Sequence, residues 1–146
     1  MKRDYAVVEY AGNDYFLAIP PRGHAIPLDM DGTRSDASSP MELLLVSLGG
    51  CTGADVVSIL RKKREQVTSY RVEVRGERRE EYPKSFRRME VRHIVTGRGI
   101  SKEAVEQAIE LSSTKYCGVS ASLRPTVEIV TSYEIHEEGA QVARAE

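Results

Sequence analysis

The chain has 146 residues, 40% of them hydrophobic and 29% charged, a length that fits one domain over 1–146. With 21 Lys+Arg against 22 Asp+Glu the net charge is -1, which gives no whole-molecule attraction to nucleic acid or to an anionic membrane surface. The opening Met1-Lys2-Arg3-Asp4 lacks a signal peptide's apolar stretch, and no run of about 18 apolar residues follows, so a cytoplasmic protein without a membrane partner is expected.

Residues 5–10, 15–19 and 24–28 read as three short strands of an antiparallel meander, separated by Gly12-Asn13-Asp14 and Pro20-Pro21-Arg22-Gly23. Residues 29–39, rich in Asp and Ser, read as a surface loop. Asp29, Asp31 and Gly32 look like the start of a calcium loop, but the later glutamate is missing, and no zinc-type spacing exists, so no metal is expected.

Ser39 as N-cap, Pro40 at the first helical position and Glu42 closing a capping box start a helix over 41–60. It is apolar on nearly every side, so other structure should wrap it. Residues 68–76 and 88–95 alternate apolar and charged side chains, as half-buried strands do, and the charged connection 77–84 closes a hairpin. Residues 61–92 carry 12 Lys+Arg against 6 Asp+Glu, a surplus read as a solvated hairpin face rather than a nucleic-acid patch, so no nucleic-acid partner is expected. A second helix follows over 102–115, capped by Ser101, then a turn with Cys117, a strand over 126–136, and a frayed tail over 137–146. The class is α+β.

In a reducing compartment the two cysteines are packed thiols or chemically active ones. Cys51 lies inside the apolar helix between Gly49-Gly50 and Thr52-Gly53, and each helical glycine costs about 1 kcal/mol relative to alanine. Either another helix crosses closely there or a small molecule reaches the sulfur. Cys117 sits where a following helix would begin, a position that stabilises a thiolate. The spacing of 66 residues does not by itself pair the two. His93 falls on the apolar face of its strand, as a hydrogen-bonded core histidine or as a partner for a nucleophilic cysteine.

Ser39-Pro40-Met41-Glu42-Leu43-Leu44, Gly49-Gly50-Cys51, Glu77-Arg78-Arg79-Glu80-Glu81-Tyr82-Pro83, His93-Ile94-Val95-Thr96-Gly97 and Lys115-Tyr116-Cys117 occur in an order that resembles the OsmC/Ohr family, the osmotically inducible and organic hydroperoxide resistance proteins. The resemblance implies antiparallel sheets wrapped around a long central helix in an intertwined homodimer, whose paired helices would account for Gly49-Gly50. It implies a peroxidase for organic hydroperoxides, with Cys51 as nucleophile and Cys117 as resolving thiol, no bound cofactor, and an external dithiol reductant of the lipoyl type. Family peroxidases place a glutamate directly after the helix-starting proline, to hold an arginine from an N-terminal loop. Met41 stands there in this chain, Glu42 lies about 100° further round the helix, and Arg22, Arg34, Arg78 and Arg79 remain open for the arginine's role. The alternative is a non-catalytic protein of the same fold that binds an apolar small molecule at the dimer interface.

Overall fold

Residues 3–139 are described by the computed structural model, which divides into two units, Met1–Leu44 and Leu45–Glu146. In the first, β1 (Val7–Gly12), β2 (Tyr15–Ile19) and β3 (Ile26–Asp29) form the expected antiparallel meander. Asn13 and Asp14 take φ of 51° and 64°, the left-handed pair that a tight hairpin turn needs.

The loop after β3 is organised around Asp29, which is buried. Its carboxylate accepts 3.0 and 2.9 Å bonds from Arg34 Nε and one from the Asp31 backbone N–H, and the Arg34 guanidinium lies 3.9 Å from the Tyr15 ring centroid. The arginine holds a loop that would otherwise strand a buried carboxylate.

Helix α1 (Pro40–Lys62) begins as its sequence dictates. The Ser39 hydroxyl accepts from the Glu42 N–H at 3.2 Å, and the Glu42 carboxylate accepts from the Ser39 N–H at 3.0 Å. By length and hydropathy alone α1 is long and apolar enough to cross a membrane, and this chain buries only about a third of it.

In the second unit β4 (Gln66–Arg78) and β5 (Phe86–Arg98) make the long hairpin, and β6 (Glu128–Glu137) adds to β5. The β5–β6 pairing is parallel, in contrast to the expectation of antiparallel sheets throughout. Its crossover consists of α2 (Lys102–Leu111), a π-helical turn Ser112–Tyr116 and α3 (Gly118–Leu123), enough chain to return β6 in the same direction as β5. The second helix therefore ends at Leu111, four residues before the expected 115, and Glu137 belongs to β6. The rest of the expected tail, from Ala140 on, lies outside the described residues.

Strand β5 sends Met89, Val91, His93 and Val95 inward at period two, each no more than 2% exposed. Val95 joins Val56 and Leu60 of α1 and Ala104, Val105, Ala108 and Ile109 of α2 in the main core. On the hairpin's outer side Glu73 pairs with Arg71 and Arg92, Glu77 with Arg87, and Glu90 with Arg88, and Glu128 and Glu134 of β6 pair with Arg88 and Arg92, which offsets part of the basic surplus.

Two of the α1 glycines face a strand of the same chain. A Cβ on Gly49 would lie 3.2 Å from Val74 Cγ2, and one on Gly53 3.3 Å from Tyr70 Cε2. Within this chain it is β4 that approaches there. Gly50 has open space above it, beside the exposed Val46 and Ala54.

Candidate active site

Two segments bring the cysteines together. Cys51 is in the middle of α1, and four residues on, one turn along the same face, comes Asp55. From the crossover, the π-helical turn ends at Cys117, whose N–H bonds Ser112 O at 2.8 Å and whose extended backbone (φ -74°, ψ 101°) caps α3. Single π turns often mark functional positions, because the wider turn re-aims the side chains that follow.

Cys51 Sγ, Cys117 Sγ and an Asp55 carboxylate oxygen all lie within 4.8 Å of one another. Both cysteines are free thiols, Cys117 buried at 4% exposure and Cys51 half-buried. Each sulfur also meets a backbone donor. The Ser120 N–H reaches Cys117 Sγ at 3.4 Å, and the Val119 N–H bonds Cys51. Burial pushes the Cys51 thiol up, the Val119 amide pulls the other way, and the hydrogen bond to Cys117 and the charges of Cys117 and Asp55 add to the upward push.

Asp55 has its own support. Ser112 Oγ, fully buried, donates to Asp55 Oδ2 at 2.8 Å. Because that uses the only Ser112 hydroxyl proton, the 2.9 Å contact with Thr52 Oγ1 must be a bond donated by Thr52. The chain Thr52–Ser112–Asp55 fixes the carboxylate beside the sulfurs. An open cavity of about 490 Å³ adjoins Cys117 and is lined also by Lys115, Tyr116, Ala121 and Arg124, within the size range of small-molecule sites.

The two cysteines singled out in the sequence are thus brought together, and Asp55, Thr52 and Ser112 were missed. The signal for Asp55 was present: it is the one acid in α1 after the capping Glu42, spaced i+4 from Cys51. His93 is not in the cluster. Its Nδ1 bonds the Tyr70 hydroxyl at 2.6 Å in the core, its Nε2 has no partner among the described residues, and burial lowers its pKa to about 4. Of the arginines considered, Arg34 is taken by Asp29, Arg78 Nε donates to Lys84 O, and Arg79 bonds Pro83 O and pairs with Glu81.

A long apolar helix, two three-stranded sheets and a cysteine pair joined by a helical crossover define a class of protein, and the comparisons identify it. The chain belongs to the family described as OsmC-like protein, whose model matches residues 32–132. It is 46% identical over 121 residues to Protein YhfA of Escherichia coli strain K12, covering 82% of this chain and 89% of that one. Among solved structures, a hypothetical protein from Aquifex aeolicus VF5 superposes with a TM-score of 0.82 at 34% identity, over 94% of this chain and 99% of that one. An organic hydroperoxide resistance protein OsmC from Legionella pneumophila shares the fold, with a TM-score of 0.66 at 15% identity over 89% and 95% of the two chains.

Proposed function

We propose that this OsmC-like protein is a thiol-dependent peroxidase that reduces organic hydroperoxides to alcohols in defence against oxidative stress. The observation that carries this reading is the approach of the two sulfurs to within 4.8 Å of each other beside a fixed carboxylate. Family membership supports a peroxide-related role, since the family includes hydroperoxide resistance proteins.

In this reading the Cys51 thiolate attacks the terminal peroxide oxygen. The O–O bond breaks, the alkoxide leaves as alcohol after taking a proton, and Cys51 becomes a sulfenic acid. The Cys117 thiolate then attacks the Cys51 sulfur, the S–O bond breaks and water departs, leaving a disulfide. An external dithiol of the lipoyl type supplies two electrons to restore both thiols. Asp55 is the proton acceptor in place of the family's arginine–glutamate device: it takes a thiol proton and returns one to the departing oxygen, while Ser112 keeps its second oxygen engaged. The apolar α1 around Cys51 favours an alkyl hydroperoxide over hydrogen peroxide, because buried hydrocarbon gains about 25 cal/mol per Å². A second copy pairing through the exposed Val46, Gly50 and Ala54 face of α1 forms the homodimer and covers what one chain leaves open.

Mass spectrometry of the reduced protein after one equivalent of alkyl hydroperoxide tests this. A Cys51–Cys117 disulfide is expected, replaced in Cys117→Ser by a trapped Cys51 sulfenic acid. Two unchanged thiols would overturn the peroxidase and favour a non-catalytic apolar-ligand protein, a reading supported by the upward push on the Cys51 thiol.

A further inference from the structure

We propose that the reduced protein binds a zinc ion through Cys51, Cys117 and Asp55, with a fourth position left to water. The three donor atoms lie within 4.8 Å of one another and come from two elements, the middle of α1 and the end of the π-helical turn. Zn–S bonds of about 2.3 Å and Zn–O bonds of about 2.0–2.2 Å put tetrahedral donors roughly 3.5–3.8 Å apart. To reach that spacing the donors need approach one another by no more than about 1.3 Å.

Three features suit a metal better than a bare thiol pair. The carboxylate is oriented from outside by Ser112, itself held by Thr52, the arrangement that keeps a ligating acid in place at metal centres. Both sulfurs accept backbone N–H bonds, from Val119 and Ser120, which disperse the charge that two adjacent thiolates carry. The crossover also delivers Cys117 on the side of α1 that carries Asp55. Two sulfurs with one hard oxygen suit zinc, a borderline ion, better than monovalent copper, which prefers sulfur alone, or calcium, which prefers six or more oxygens.

Binding converts two thiols and a carboxylate into a Zn(thiolate)2(carboxylate) centre with release of two protons. Zinc and peroxide then compete for the same sulfurs: the occupied site is protected from oxidation, and the disulfide has no thiolate left to bind the ion. The site stands on the donor geometry alone and does not require that the protein turn over peroxide.

Titration of the reduced full-length protein with Co2+ as a spectroscopic probe, then displacement by Zn2+, tests the proposal. The expected result is one ion per chain, with a thiolate-to-cobalt charge-transfer band of two-sulfur intensity and the d–d bands of a tetrahedral centre. Cys51→Ser abolishes the band, Asp55→Asn weakens Zn2+ binding by about tenfold or more, and Ser112→Ala by about tenfold. Wild-type protein oxidised with diamide binds neither ion, a control that needs no variant. Absence of the band in reduced wild-type protein overturns the proposal, as does an Asp55→Asn protein that binds Zn2+ as tightly as wild type.

Discussion

Ser112 donates a 2.8 Å hydrogen bond to the carboxylate of Asp55, joining residues 57 positions apart in the chain. Ser112 is fully buried and also accepts from Thr52, so removing its hydroxyl strands two groups at once. Ser112→Ala is expected to destabilise the fold by about 1–3 kcal/mol in urea unfolding, where an exposed serine would cost almost nothing.

Asp55 separates two steps that a simple nucleophile would run together. Its charge is one of the influences that hold the Cys51 thiol up, after burial and Cys117. Asp55→Asn should therefore speed alkylation of Cys51 by iodoacetamide at neutral pH. The same variant should slow disulfide formation after peroxide by about a hundredfold, because no carboxylic acid remains to protonate the departing alkoxide, a step that alkylation does not have. Stopped-flow and alkylation kinetics on one preparation read both.

His93 makes the fold sensitive to acid. Its pKa falls from 6.5 to about 4 because the ring is buried, with Nδ1 on Tyr70 and Nε2 unpartnered. Between those values the unfolded chain binds a proton that the folded chain does not. Stability is thus intact above 6.5 and falls as pH drops, by roughly 3 kcal/mol once below about 4. Unfolding measured from about pH 8 to about pH 5 should show this decline in the wild type, and His93→Phe should remove it.

Gly49 tests what the α1 glycines are for. With Val74 Cγ2 only 3.2 Å from an added Cβ, Gly49→Leu must push β4 away from the helix. A loss of about 1–3 kcal/mol in chemical unfolding is expected, as for other overpacked cores. Wild-type stability in this variant would mean that the strand is free to move off the helix.

Val46 and Ala54 test the second copy. Val46 is 65% exposed and Ala54 lies on the same exposed side of α1, so arginine at both is tolerated by the single chain. Light scattering should find the double variant Val46→Arg, Ala54→Arg monomeric and the wild type dimeric, with unchanged far-ultraviolet circular dichroism.

Local chemistry was legible in the sequence. The Ser39–Glu42 box, the period-two pattern of β5 and the Asn13-Asp14 turn each depend on residues a few positions apart, where backbone sterics and hydrogen-bond reach decide the outcome. The family resemblance, carried by short motifs in order, gave the fold class and pointed to both cysteines. Strand direction was not legible, since an alternating pattern reads the same parallel or antiparallel, and the return path of β6 depends on how the α2–α3 crossover packs. Nor was the reason for Gly49, because a missing side chain does not say what fills its place, and β4 fills it from 23 to 25 residues away. The convergence of Cys51, Asp55, Ser112 and Cys117 exists only in three dimensions: hydrogen bonds and sulfur contacts act over a few ångströms, and folding alone brings residues 66 positions apart within that range.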